Sequence, residues 1–331
     1  MIWSPGHVLK DDRYTIELVL HHGRLSMTYL ARKKNGDRHV LKVPNDEAPS
    51  ADLARVQRRF RNEAWKLHGC KHPNIVKVFD PFEEGDLDLY CIPMEYIAGT
   101  PLDKRNPMRL SEAEAITYVT QIGEALSELH SKGLIHRDVN PKNVMIRSGL
   151  SQAVLIDFGL VKDFSTESSP SMVTTKTQDA GMHPGYKAPE LYVQGGDRGP
   201  YCDLYALGAL LYELVTGNAP PNAVERSTQP GLLSFPGGVV SDRVMGAIEY
   251  AMAIKVRDRP DTVAEWLEFL KSGKKPDVKA AEAEVSKPKS VNWKMTLKVI
   301  AAITALITAI TGLVVAFQPK DSPPVKSEQG R

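Results

Sequence analysis

Two short clusters near the middle of the chain carry the residue types that phosphate chemistry requires. His136-Arg137-Asp138 is followed, five residues after the aspartate, by Asn143, and Asp157-Phe158-Gly159 closes an apolar stretch from Ala153 to Ile156. Moving a terminal phosphoryl group needs metal ions to neutralise the phosphates, a cation on those phosphates and a carboxylate that orients the attacking hydroxyl. Here Asp157, at the end of a strand, is suited to hold a magnesium ion and Asn143 a second, while Asp138 accepts the proton of the substrate hydroxyl. An Asp-Phe-Gly on its own is a turn; at this spacing after His-Arg-Asp the chemical reading outweighs it.

These residues need a scaffold, and the pattern before them provides one. From Tyr14 to Lys42 short apolar stretches are broken by turn signals such as Asn35-Gly36-Asp37, which predicts strands joined by hairpins. Residues 51–68 fall at helical spacing, and Ser111 caps a run through Glu114, Ile116, Val119, Ile122, Leu126 and Leu129 that predicts a long amphipathic helix. Beyond Asp203 the pattern is mainly helical. Strands first and helices later predict an α+β architecture, with a small β-rich lobe and a larger helical one, over residues 14–270.

Composition narrows the function further. Forty-two Lys and Arg against 40 Asp and Glu leave a formal charge of +2 over 331 residues, which gives no bulk attraction to nucleic acid. Cys70, Cys91 and Cys202 are odd in number and scattered, as expected of thiols in a reducing compartment. The N-terminal stretch meets Pro, His and acidic residues before any apolar run forms, so no signal peptide is expected.

Residues 271–294, rich in Lys, Glu, Ala and Pro, read as a linker. A transmembrane helix is predicted over residues 295–317, because the uncharged stretch VIAAITALITAITGLVVAF at 299–317 is about long enough for a hydrocarbon core of ~30 Å. Lys287, Lys289, Lys294 and Lys298 precede it, with Trp293 as an interface anchor, whereas Lys320, Lys326 and Arg331 beyond it are offset by Asp321 and Glu328. That bias predicts a cytoplasmic N-terminal domain on a single-pass protein of the plasma membrane, with 318–331 a tail too short to fold as a sensor.

Taken together, the motifs resemble the eukaryotic-like (Hanks-type) bacterial serine/threonine protein kinase family over nearly all of 14–270. Val40-Leu41-Lys42 resembles the strand that presents the phosphate-contacting lysine. Glu63, in FRNEAWKLHGCKHPNIVKV, resembles the helix glutamate that pairs with it, and Ile92-Pro93-Met94-Glu95-Tyr96 resembles the hinge that meets adenine, Met94 being the gatekeeper. Gly185-Tyr186-Lys187-Ala188-Pro189-Glu190 resembles the end of an activation segment, held by Asp203, Leu207-Gly208 and Arg259-Pro260, with Arg259 expected to pair with Glu190. The resemblance implies a bilobal kinase fold that takes ATP with magnesium, or manganese in its place. It implies catalytic roles for Asp138, Asn143, Lys42 and Glu63, and metal ligands at Asp157 and Asn143. ATP contacts are implied at Leu20, Gly23, Thr28, Lys42, Met94, Glu95 and Tyr96. Protein substrates phosphorylated on Ser or Thr follow from Pro141 and the Ala-Pro-Glu element, and a homodimer is compatible with the family.

The sequence departs from that family at three places. His21 to Ser26 reads H-H-G-R-L-S where the family has a glycine-rich phosphate loop, and Gly23 alone matches, which should stiffen the loop and reduce nucleotide affinity. Asn140 stands where serine/threonine members carry a lysine toward the transferring phosphoryl group. His183 stands where a threonine links the activation segment to that lysine and to the aspartate. Either the site is rebuilt as a set, or catalysis is relaxed; retention of Lys42, Glu63, Asp138, Asn143 and Asp157 favours activity over a pseudokinase scaffold. Lys142 is a candidate to restore some of the missing charge. Ser165, Thr166, Ser168, Ser169, Ser171, Thr174, Thr175 and Thr177 are candidate phosphorylation sites, where a phosphate would order the segment through Arg137, against the plainer reading of a polar loop. A kinase of a small metabolite is disfavoured by the Ala-Pro-Glu element.

Overall fold

The computed structural model describes residues 3–23, 26–45, 50–85, 88–106, 108–157, 162–163, 184–193, 198–229, 231–238 and 240–274. Strands β1 (Tyr14–His22), β2 (Ser26–Lys33) and β3 (Arg38–Pro44) precede helix α1 (Ser50–His68), and β4 (Phe82–Glu84) and β5 (Leu89–Glu95) complete an antiparallel sheet of order β1-β2-β3-β5-β4. The predicted hairpin joins β2 to β3: Gly36 takes φ 94°, its amide donates to the Lys33 carbonyl at 2.9 Å, and the Asn35 side chain accepts from the Asp37 amide at 3.1 Å. A positive φ at that position is what glycine supplies without steric cost.

Strand alternation then divides the sheet into two faces. Met27, Tyr29 and Ala31 on β2, with Leu41 and Val43 on β3, pack into one apolar cluster. Thr28, Val40 and Lys42 fall on the other face, which lines a cleft. The first cluster also contains Trp3 and Leu9, both buried, so packing begins ahead of Tyr14, where the sequence places the start of the domain.

Helix α1 buries Val56, Phe60, Ala64 and Leu67, a four-four-three spacing that keeps one stripe on Ile92 and the rest of the larger core. After β6 (Gly99–Pro101), α2 (Glu112–Ser131) starts at the predicted cap, where Ser111 Oγ accepts from the Glu114 amide at 3.3 Å. Strands β7 (Leu134–Ile135), β8 (Val144–Arg147), β9 (Ala153–Leu155) and β10 (Lys162–Asp163) carry the segments around the two motifs, pairing as β6-β8-β9 and β10-β7.

The helical part follows: α3 (Tyr201–Thr216), α4 (Ala223–Thr228), α5 (Asp242–Ala251) and α6 (Val263–Ser272). Helix α3 is buried almost all round and packs against α2 and α5. Gly208 permits that approach, since a Cβ there would lie 2.6 Å from the Ala251 Cβ. Small sheet and larger helical region thus match the predicted α+β, two-lobed arrangement. Residues 299–317 lie outside the described residues, among which no helix is long and apolar enough to cross a membrane.

Candidate active site

The first motif is fixed from below by a buried carboxylate. Asp203, in the first turn of α3, accepts hydrogen bonds from the His136 amide at 2.8 Å, the Arg137 amide at 2.6 Å and His130 Nε2 at 2.8 Å. Burial pushes this carboxyl up, but the hydrogen bond and charge of His130, the charge of His136 and the Arg137 amide outweigh it and hold it below the usual range. Arg137 sits at φ 69°, a conformation costing a non-glycine residue on the order of 1 kcal/mol. The paired amides offset that cost and hold the turn toward the cleft.

Asp138 is clamped by two neighbouring amides. Asn143 Nδ2 donates to its Oδ2 and Asn140 Nδ2 to its Oδ1, each at 2.8 Å, and the Asp138 backbone carbonyl accepts from the same two groups at 2.7 and 3.1 Å. Burial raises the Asp138 carboxyl above its ordinary value, against the lowering influence of His136, Asn143 and Asn140. A raised carboxyl held in one orientation suits a proton acceptor. Because the Asn143 nitrogen is committed to Asp138, its carbonyl oxygen is the atom left to meet a cation.

Across the cleft, Lys42 Nζ lies 2.7 Å from Asp157 Oδ1, the lysine side chain 7% and the aspartate 52% exposed. Glu63 is on α1, but its side chain is outside the described residues. Phe158, Gly159 and His183 are outside them as well.

The cleft between sheet and helical part encloses about 470 Å³, within the range of about 300–1,000 Å³ typical of small-molecule sites. Of the residues expected to bind nucleotide, Leu20, Thr28, Lys42, Met94, Glu95 and Tyr96 line it, together with Asn143 and Asp157. Gly23 does not. It forms the turn beyond β1, its amide donating to the Ser26 carbonyl at 2.9 Å and its carbonyl accepting from Asn45 Nδ2 at 3.0 Å. Asp138 also lies off the cleft lining and reaches it through Asn143.

Several contributors carried no signal of their own in the sequence. Val76, Ile97, Met145 and Ile156 form apolar walls, and any strand or hinge could supply such residues. His130 and Asn45 act at long range and fit no local pattern. Glu95, at the end of β5, is tied to β8 by Arg147 Nη1 at 2.8 Å, a pair visible only once the strands are placed.

Among the described residues no group of three His, Cys, Asp or Glu could hold a metal ion unaided. A carboxylate and an amide oxygen are hard donors that fit magnesium when substrate phosphates complete its shell. Farther down, Arg259 grips Glu190 in two parallel hydrogen bonds of 2.8 and 2.9 Å, as expected, with both side chains nearly inaccessible. Cys202 Sγ lies 3.2 Å from the same carboxylate, and burial first, then Glu190, pushes its thiol far up.

The chain is similar to known proteins. The chain is 33% identical over 215 residues to the serine/threonine-protein kinase pkn3 of Myxococcus xanthus, covering 63% of this chain and 38% of that protein. It is 34% identical over 214 residues to the serine/threonine-protein kinase PrkC of Bacillus subtilis, covering 63% and 31%. It therefore spans well under half the length of these curated relatives. The kinase domain of Mycobacterium tuberculosis PknI superposes with a TM-score of 0.59 at 27% identity, over 82% of this chain and 98% of that one. The family model described as protein kinase domain matches residues 14–232, which include the clamped Asp138, the Lys42–Asp157 pair and Glu190, and so the chain belongs to the protein kinase family.

Proposed function

We propose that the chain phosphorylates serine or threonine residues of proteins, itself included, using ATP and magnesium. The observation that carries this is the Asp138 carboxylate, raised by burial and held by two amides next to Asn143, which with Asp157 and Lys42 lines a nucleotide-sized cleft. The apolar walls take the adenine against Met94, Glu95 and Tyr96. Lys42 binds the α and β phosphates, and Asp138 orients the substrate hydroxyl and accepts its proton. Asp157 and Asn143 would hold magnesium, which when bound neutralises charge on the phosphates. We place the kinase domain on the cytoplasmic face of a membrane, anchored by residues 299–317, a reading supported by the uncharged stretch and the lysines ahead of it.

The test is label transfer from γ-labelled ATP with magnesium by the full chain and its Asp138→Asn variant, toward itself and a generic basic protein. Label from the parent alone is the expected result. No label from a folded parent that still binds nucleotide would replace this reading with that of a scaffold.

A further inference from the structure

Phosphoryl transfer calls for a cation near the transferring group, and Asn140 removes it from the position where the sequence leads one to look. The Asn140 side chain has no spare role there. Its Nδ2 is spent on Asp138, and its Oδ1 accepts from the Lys142 amide at 3.0 Å, capping the turn Pro141–Asn143. One residue, 7% exposed, thereby fixes both the proton acceptor and the backbone that carries Lys142.

Lys142 lies in the wall of the same cleft as Lys42, Asn143 and Asp157, with its side chain exposed. Lys42 is engaged with Asp157, whereas no carboxylate among the described residues lies within ion-pair distance of Lys142. An exposed lysine is ordinarily a solvated charge. This one lines the cleft beside Asn143, two residues from Asn140, on the turn that Asn140 caps.

We propose that Lys142 is the catalytic cation that contacts the transferring phosphoryl group, and that Asn140 is its positioning residue. The inference rests on the kinase reading above. A positive charge that meets the phosphoryl oxygens as charge shifts lowers the barrier more than it tightens ground-state binding. Asn140 acts on the other partner too, since the same side chain holds the Asp138 carboxylate at 2.8 Å.

Steady-state kinetics on the full chain test this with Lys142→Ala, Lys142→Arg, Asn140→Ala and the double variant Asn140→Lys/Lys142→Ala. Lys142→Ala should lower kcat about 10- to 100-fold with a smaller change in KM for ATP. Lys142→Arg should keep most of the rate, and the double variant should regain it by returning the charge to position 140. Asn140→Ala should lower kcat more than it changes KM for ATP, because it releases both Asp138 and the Lys142 amide. A Lys142→Ala rate within about twofold of the parent overturns the proposal. If the folded parent transfers no phosphate, the kinase reading fails and this proposal falls with it; a parent that transfers phosphate while Lys142→Ala leaves its kcat unchanged overturns the proposal alone.

Discussion

Beneath the catalytic turn, Asp203 and the Arg259–Glu190 pair satisfy backbone and side-chain groups among residues shielded from water. On the opposite wall His21 and His22 are exposed, and the turn after them is tied to the end of β3 through Asn45. The difference teaches where each region's free energy is read. A buried polar contact, once broken, strands its partner in a dry environment and shows in global stability. The hairpin is exposed at His21 and His22 and opens locally there, so the hydrogen bond that the buried Asn45 gives it shows in ligand binding as well as in stability.

The largest effect should come from Arg259→Ala. It leaves the Glu190 carboxylate without its guanidinium and frees the carbonyls of Ala253 and Tyr201, which accept from Arg259 at 2.7 and 2.9 Å. Losing one member of a buried pair costs about 3–5 kcal/mol, or roughly 10 °C in Tm for a domain of this size. Thermal unfolding measures it. A loss of about 1 kcal/mol or less, as for an exposed pair, would erase the contrast between the two regions.

Asp203→Asn comes next, at about 2–3 kcal/mol for the charge-assisted hydrogen bonds it weakens. The folded carboxyl lies below its ordinary value. Its contribution is therefore fully present above the unfolded value of about 4 and is lost as pH falls through the lower folded one. Denaturant titrations should show the gap between variant and parent at neutral pH narrowing below about pH 4; a gap independent of pH would mean that charge is not what Asp203 contributes.

The same contrast explains what could be read from sequence. Asn35-Gly36-Asp37 announced its hairpin and Ser111 its helix because the stabilising contacts are local. Asp138, Asn143 and Asp157 stood out by a spacing that suits one chemistry, and the structure brings Asn143 and Asp157 to one cleft with Asp138 hydrogen-bonded to Asn143. Asp203 was visible only as one of the elements holding the activation segment, not as the acceptor of the His136 and Arg137 amides, because that contact joins residues about 66 positions apart. Trp3 and Leu9 were missed for a related reason: their burial is set by β2 and β3, not by any period of their own.

Glu213→Gln turns the comparison around, since here a buried group destabilises. Burial first, then the Asp103 charge, pushes the Glu213 carboxyl up to about 7, and its Oε2 finds no hydrogen-bond partner among the described residues. With the folded value above the ordinary 4.5, the stability tied to its protonated form is complete below about pH 4.5 and lost as pH rises through about 7. The variant should match the parent near pH 4.5 and exceed it by about 1–2 kcal/mol at pH 8, a figure reduced for partial exposure. Equal stability at pH 8 would show that water reaches the carboxyl freely.

Asn45→Ala should have the smallest effect and sharpen the contrast most. Its Nδ2 holds the Gly23 carbonyl, so removal loosens the end of β1 at His21 to Gly23 at a cost of about 1 kcal/mol. Because His21 lines the cleft, that freedom must be lost again when ATP binds. KM for ATP should rise about fivefold, as 1 kcal/mol dictates, while kcat stays near the parent's, since Asp138 and its amides hang from the helical part. A kcat that falls in step with kcat/KM would mean that the hairpin also orders the transition state, and the two walls of the cleft would then act as one device.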